Sequence, residues 1–304
     1  MDLRKKTTDP GVSIGLPVYN GENYLKESLD SLLNQTYTGF EIIICDNAST
    51  DATKDICLEY ASHDSRIKYY RNRYNIGAAA NFNATFNLSR GEYFKWAAHD
   101  DFCSPDFLKK CVNILDRNES VVLAYSKVMI VNELSKPIYA YIEKLPTDSH
   151  DVEIRFGALL GAHPCYMVFG LIRRNALIRT RQIMGAYNHG DGVLLERLAL
   201  QGRFVEIPEY LFYHRVHQQQ SMQMVNDRLS YSVWFNPHYK DKISFPWSRV
   251  TYERIRSLLM YRLKKKERIE CSRRLYWNIK SIYKVLFHEW KQGLKLSVRG
   301  YPSS

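Results

Sequence analysis

The 304-residue chain has no long hydrophobic run. Nothing in it approaches the roughly 18 uninterrupted apolar residues of a membrane-spanning helix. Its longest apolar stretches, VSIGLPVY (12–19) and EIIIC (41–45), have the length of strands. The start, MDLRKKTTDPGVSIG, lacks an apolar segment of signal-peptide length before the first turn signal, so a cytoplasmic protein is expected. Without export, the sequons at 47–49, 83–85, 87–89 and 118–120 are expected to be accidental. Cysteine is sparse: six residues, at 45, 57, 103, 111, 165 and 271, form no CxxC pair. That argues against a zinc ribbon or a dithiol redox centre. Cys45, Cys103 and Cys165 lie in apolar or motif-rich runs and are expected to be reduced thiols. What is present, 45% hydrophobic and 25% charged residues, excludes a disordered chain, a collagen and a disulfide-stapled miniprotein. The length suits one large domain or two modest ones.

The formal net charge of +11 is unevenly placed. Residues 249–304 carry 15 Lys and Arg against 4 Asp and Glu, whereas residues 1–248 carry 28 of each sign. Four of the five tryptophans, Trp234, Trp247, Trp277 and Trp290, also lie late. A neutral body with a basic, aromatic tail points to an anionic partner, a membrane surface or a nucleic acid.

Along the body, β-rich and helical segments alternate. VSIGLPVY predicts a strand. GENYLKESLDSLLNQT (21–36) places Leu25, Leu29, Leu32 and Leu33 on one helical face. EIIICDN (41–47) suits a strand buried on both faces. A helix follows over STDATKDICLEYA, with Ser49, Thr50 or Asp51 available as its cap. IKYYRN (67–72) is a third strand, and NIGAAANFNATFNLSRG turns at Gly77 into a helix that stops at Gly91. YFKWAAHDD (93–101) reads as a strand ending in acids, and PDFLKKCVNILDRN as a helix with Pro105 near its first turn. This order implies a doubly wound sheet, in which ligands lie beyond the carboxyl ends of the strands. Tyr19 and Asn20, Asp46 and Asn47, and His99, Asp100 and Asp101 all fall at that edge. Each alone is an ordinary turn residue; three clusters on one edge point to a site.

The segments PVYNGENYLKESLDSLLNQTY, EIIICDNASTDAT, NIGAAANFN, AAHDD and GDGVLLERLALQGRFVEIPEYLFYHRVHQQQS, together spanning about residues 11–221, resemble the inverting family 2 glycosyltransferases. The order and spacing of the five segments make the resemblance specific. It implies an α/β chain with the GT-A fold: a Rossmann-like, doubly wound mixed sheet with helices on both faces, followed here by a C-terminal helical tail. The implied division is 1–224 for the catalytic domain, with a nucleotide-sugar half over about 11–120 and an acceptor half over about 121–224. Residues 225–304 form the basic, aromatic-rich region. Pro17, Tyr19 and Asn20 resemble the first nucleotide-contact loop, and Asp46 the carboxylate that hydrogen-bonds the base. Asp100 and Asp101 resemble the DxD region, with Asp101 and His99 as the implied metal ligands. Asp191 resembles the catalytic base, and His217 a late loop residue near the donor phosphates, beside Arg215 and ahead of Gln220 and Ser221. Two positions depart from the family pattern. His99 stands where an acid is common, and imidazole suits Mn²⁺ better than Mg²⁺. Gly190 replaces the acid that usually precedes the base.

The chemistry accounts for these residue types. Displacing a nucleoside diphosphate from an anomeric carbon builds negative charge that a divalent cation, Mn²⁺ for preference, neutralises without a proton. The attacking hydroxyl must lose its proton, and a carboxylate such as Asp191 accepts it, a contribution of about 10²–10⁴-fold. On local spacing alone, Asp191 reads as the N-cap of the helix carrying Leu194, Leu195 and Leu198; the resemblance favours the base, and the two roles are compatible. His163 and His189 have no second ligand at helical or turn spacing and are not expected to bind metal. Arg71 and Arg73 are expected to be solvated loop charges. The implied partners are a nucleotide-sugar donor, UDP-linked by the family's common habit, and a glycan or lipid-linked glycan acceptor.

Three other readings compete. A nucleotidyltransferase shares the fold type, but its basic glycine-rich loop is missing from PVYNGEN. A binding protein with a degenerate site is at odds with intact Asp46, Asp101 and Asp191. Nucleic-acid binding through the tail finds no helix-turn-helix, zinc or RNP signature, and no nucleic-acid partner is expected. In the tail, Ile255, Leu258, Leu259 and Leu263 follow one helical spacing, and Leu275, Ile279, Ile282, Leu286 and Trp290 another. Over 249–292 such helices suit an anionic membrane surface. Equally, their apolar faces suit packing on the body or on a second copy in a homodimer.

Overall fold

The computed structural model describes residues 10–180, 184–218, 220, 228–240 and 245–299; for 228–231, 239 and 292–299 it describes the backbone only. Four strands open the chain: β1 (Val12–Val18), β2 (Phe40–Asp46), β3 (Ile67–Arg71) and β4 (Tyr93–Trp96). They are linked by α1 (Leu25–Leu33), α2 (Thr53–His63) and α3 (Ala78–Asn87). These strands pair in parallel in the order β3-β2-β1-β4. All seven residues of β1 and of β2 are buried, as their unbroken apolar runs predict for a sheet covered on both faces.

Beyond β4 the direction changes. The chain continues through β5 (Phe102–Cys103), α4 (Phe107–Arg117), β6 (Val121–Val131), β7 (Pro137–Tyr141), α5 (Val152–Leu159), β8 (Leu171–Arg173), α6 (Arg174–Arg179), α7 (Gly190–Ala199) and β9 (Arg203–Arg215). β8 lies antiparallel to both β4 and β6. β9 pairs in parallel with β6 and antiparallel with β5. The result is a nine-stranded mixed sheet. On one side Leu25, Leu29 and Leu32 of α1 and Leu108 and Leu115 of α4 pack against it. On the other, Phe94 and Trp96 meet Leu194, Leu195 and Leu198 of α7. Each such leucine, fully buried, stabilises the fold by about 1.5–3 kcal/mol.

Among the element ends that differ from the sequence reading, two bear on the site edge. β4 stops at Trp96, so His99, Asp100 and Asp101 lie in the loop between β4 and β5. The N-cap of α2 is Ala52, which has no capping side chain; Asp51 instead accepts from the backbone N–H of Thr53 at 3.0 Å and of Glu22 at 3.1 Å. It ties the first two loops of the edge together.

The chain ends in α8 (Arg228–Phe235), α9 (Pro246–Met260) and α10 (Lys265–Arg299). The expected division at 224/225 lies outside the described residues. Leu258 of α9 and Cys271 and Leu275 of α10 are buried against Val152 and Phe156 of α5. Two fully buried ion pairs join α7 to α9, Arg197–Glu253 at 2.6 Å and Arg254–Glu196 at 2.7 Å. Glu289 of α10 accepts from the first backbone N–H groups of α9, at Trp247 and Ser248, both at 2.9 Å. The inner faces of the tail therefore pack on the body. Ile255, Leu259, Tyr276, Trp277, Tyr283, Phe287 and Trp290 remain exposed, so Ile255, Leu259 and Trp290 leave the apolar faces that periodicity gave them. No helix of the described residues is long and apolar enough to cross a membrane.

Candidate active site

A cavity of about 1040 Å³ opens at the carboxyl edge of the parallel strands. Of the residues singled out in the sequence, Pro17, Tyr19, Asn20, Asn47, His99, Asp100, Asp101, Asp191 and Gln220 line it. Asp46 and His217 do not, and Ser221 lies outside the described residues.

The first rim is laced by short hydrogen bonds. Asn20, at φ 51°, donates its backbone N–H to Ser49 Oγ (2.9 Å) and accepts from the Thr50 N–H (2.9 Å). Gly21 N–H donates to Thr53 Oγ1 at 2.8 Å. A Cβ on Gly21 would stand 2.6 Å from His99, so the glycine admits the imidazole to the wall. Asp46 is fully buried beneath this rim. Its carboxylate accepts from the Ser49 N–H and the Tyr69 hydroxyl, both at 2.8 Å, with the Arg71 guanidinium at 3.5 Å. Arg71, the last residue of β3, remains exposed as expected and also pairs with the buried carboxylate. In this geometry Asp46 shapes the loop that follows β2 and leaves the cavity wall to Asn47 and Asp51.

An asparagine network supports the same rim. Asn47 donates to Asn75 (2.8 Å) and accepts from Asn72 (3.1 Å) and the Ile76 N–H (2.9 Å), while Asn81 holds the Cys45 carbonyl at 2.7 Å. Sequence reasoning singled out only Asn47 of these, as part of the strand-edge clusters, and gave Asn72, Asn75 and Asn81 no role. The signal available was their density, four within NRYNIGAAANFN and one after β2.

The His99-Asp100-Asp101 loop is gripped from β9. Asp101 accepts from the Arg215 N–H at 3.0 Å and from His214 Nδ1 at 3.1 Å. Asp100 accepts from His217 Nε2 at 2.9 Å, and its carbonyl from Arg215 Nε at 2.9 Å. His217 is buried, with its ring 4.9 Å from that of Tyr24, so it orients Asp100 from behind. Burial opposes the charge on Asp100, but His99 and the hydrogen-bonded His217 outweigh it and hold the carboxyl well below the usual carboxylate range. Burial likewise opposes the charge on His214, and the Asp101 carboxylate more than compensates, raising it. His214, which lines the cavity, was missed in the sequence, where it reads as one more residue of an apolar strand.

Oxygen and imidazole donors in this loop fit a borderline divalent cation such as Mn²⁺. Among the described residues they do not bring three protein ligand atoms together. A cation there would be held by Asp101, with His99 beside it, and by oxygens of a diphosphate, as is usual for cations that bind with phosphates.

Asp191 stands in the first turn of α7, whose N-cap is His189 rather than Asp191. It accepts from the Gly192 N–H at 2.8 Å, and the nearby Cys165 thiol donates to the His163 carbonyl at 3.6 Å. Gly190 has a steric cause: a Cβ there would lie 2.3 Å from the Gly185 carbonyl oxygen. The remaining wall includes Tyr166, Val233, Trp234, Phe235 and Pro237, so the segment around α8 also borders the cavity.

Comparison with known proteins places the fold and the family. The structure is similar to that of Staphylococcus aureus TarS 1–349, with a TM-score of 0.66 at 16% identity over 90% of this chain and 73% of the other. TarS 1–349 has also been solved with UDP-GlcNAc, matching with a TM-score of 0.64. The mannosyltransferase PcManGT of Pyrobaculum calidifontis, solved with GDP-Man and Mn²⁺, matches with a TM-score of 0.55 at 16% identity over 96% of this chain and 81% of that one. The fold is therefore that of the GT-A glycosyltransferases. The profile of glycosyl transferase family 2 matches residues 13–180, and the chain belongs to that family. Its relatives include uncharacterized glycosyltransferases of Rickettsia typhi, 36% identical over 45% of this chain, and of Haemophilus influenzae, 29% identical over 71% of this chain and 69% of the relative. The alignment spans 42% of the Rickettsia protein's length.

Proposed function

We propose that this glycosyltransferase moves a sugar from a nucleotide-sugar donor, UDP-linked, to a hydroxyl of a glycan or lipid-linked glycan, with inversion at the anomeric carbon. The observation that carries the reading is the convergence of Asp191 and the His99–Asp101 loop on one cavity large enough for donor and acceptor groups together. Donors of this kind are named for the solved neighbours, UDP-GlcNAc for TarS and GDP-Man for PcManGT.

Asn20, Asn47 and Asp51 offer the polar edge for the nucleoside, and Tyr19, 44% exposed, an aromatic surface beside it. Asp101, fixed by His214 and Arg215, would hold a divalent cation, for which Mn²⁺ suits the His99 neighbour, and such a cation would supply countercharge to the departing diphosphate without a proton. Asp100, oriented by His217, would hold the ribose or a water molecule. Asp191 takes the proton of the acceptor hydroxyl as it attacks. A single in-line attack inverts the anomeric centre, and no covalent sugar–enzyme intermediate is required.

A thermal-shift screen of UDP, GDP, dTDP and CDP, each with and without Mn²⁺, tests this reading. A ligand of the folded state at a hundred times its Kd adds about 2.7 kcal/mol of stability. A shift for UDP that grows with Mn²⁺ supports the proposal. No shift with any nucleotide contradicts it.

A further inference from the structure

At the start of α7, the proposed base Asp191 has two neighbours, Cys165 and His189, that sugar transfer does not call for. Cys165 Sγ, a ring nitrogen of His189 and a carboxylate oxygen of Asp191 all lie within 4.8 Å of one another. Among the described residues this is the one group of three such ligands. Sequence spacing hid it, because 24 residues separate the cysteine from the histidine.

The backbone is bent to make the cluster. Cys165 (φ 55°) and His189 (φ 66°) both occupy the left-handed region. For residues with a side chain that costs on the order of 1–3 kcal/mol each, and such strain gathers at functional sites. The helix start is also cleared for the imidazole: a Cβ on Gly192 would lie 2.1 Å from His189 Nε2. His163 is not a fourth ligand. Its Nδ1 accepts the Cys165 N–H at 3.2 Å, and its Nε2 faces the Leu159 carbonyl at 3.2 Å.

The donor set decides what it can hold. Sulfur, imidazole and one carboxylate together favour Zn²⁺ over Mg²⁺ or Mn²⁺. Three protein ligands with a fourth position open is a known zinc arrangement, with bonds of about 2.0–2.3 Å.

We propose that Cys165, His189 and Asp191 form a binding site for a thiophilic divalent cation, Zn²⁺ being the best match, chemically distinct from the His99–Asp101 loop, and that filling it blocks transfer by occupying the Asp191 carboxylate. Binding releases the thiol proton to solvent and leaves a metal-bound thiolate, with no change of oxidation state. The inhibitory half rests on the reading of Asp191 as the base; the binding half does not.

Cobalt(II) titration of the chelator-treated full chain tests the binding half. A thiolate-to-cobalt charge-transfer band should rise at one equivalent and be displaced by Zn²⁺. It should vanish in Cys165→Ser, and affinity should fall about 10-fold or more in His189→Ala. Circular dichroism and melting of both variants report that they are folded. No band in the folded wild type, or a band retained in Cys165→Ser, overturns the site. For the inhibitory half, Zn²⁺ is added to transfer assays containing excess Mn²⁺. It should inhibit the wild type, and Cys165→Ser, judged against its own zinc-free rate, should need about 10-fold more or higher. A cobalt band at Cys165 with no zinc inhibition overturns the blocking of transfer while leaving the metal site standing.

Discussion

A single carboxylate in this protein has a different job depending on what reaches it. Asp101 is held by the Arg215 N–H and by His214, and it lines the cavity. Asp101→Ala removes the anionic ligand and should abolish Mn²⁺-dependent donor binding. Calorimetry with UDP and Mn²⁺ checks this, and unchanged affinity would remove Asp101 from the metal site. Asp46 has its oxygens on Ser49, Tyr69 and Arg71. Asp46→Ala should weaken donor binding even without metal, by loosening the loop that presents Asn47 and Asp51. It should also lower stability by about 1–3 kcal/mol, because buried partners lose their acceptor. Full nucleotide affinity in that variant would contradict the role. The sequence places Asp46 at the end of a buried strand, where sites lie. Which way its oxygens face depends on Tyr69 and Arg71, more than 20 residues along the chain, and no local pattern carries that. The same applies to His217, whose partner Asp100 is 117 residues away.

At the level of elements, α7 is the joint between site and tail. Its first turn carries Asp191, and further along it buries Glu196 and Arg197 against Arg254 and Glu253 of α9. Arg254→Met leaves Glu196 charged and unpaired in the interior, and should cost about 3–5 kcal/mol. A melting curve checks this; a loss under about 1 kcal/mol would mean that solvent or another cation reaches Glu196. The family's usual acid before the base is also informative. Gly190→Glu forces a Cβ to within 2.3 Å of the Gly185 carbonyl. It should therefore lower stability by about 1–3 kcal/mol rather than improve activity. The strands and helices of the first half were legible because their periods are clean: continuous apolar runs for β1 and β2, and a leucine stripe for α1. The end of β4 was not: AAHDD continues the apolar run, but β1 pairs with β4 only as far as Trp96 and β8 only as far as Phe94. The cap of α7 was misread for a related reason. Asp is a good capping residue, but Gly190 and Gly192 let the chain turn one residue pair earlier, at His189.

For the whole molecule, the uneven charge becomes a surface. The tail's inner side packs on α5 and α7, and its outer side shows Tyr276, Trp277, Tyr283, Phe287 and Trp290 among basic residues, with Lys280 4.8 Å above the Trp277 ring. Anionic vesicles at low salt should pellet the full chain. The double variant Lys280→Glu, Lys284→Glu should bind less, at about 1 kcal/mol for each basic residue removed. Removing α9 and α10 is the poorer test, because their inner faces and the buried ion pairs belong to the core. Equal pelleting of wild type and variant, or none by either, would leave the outer face without a lipid role. The central claim is that Asp191 is the base of a sugar transfer carried out in the 1040 Å³ cavity. It is tested most directly by Asp191→Asn, with donor affinity and saturated turnover measured side by side. An amide fits the same space and cannot take the proton, so donor affinity should stay near wild type while transfer falls by about 10²-fold or more. Turnover at saturation that survives while nucleotide affinity collapses would make Asp191 a binding residue and contradict the mechanism.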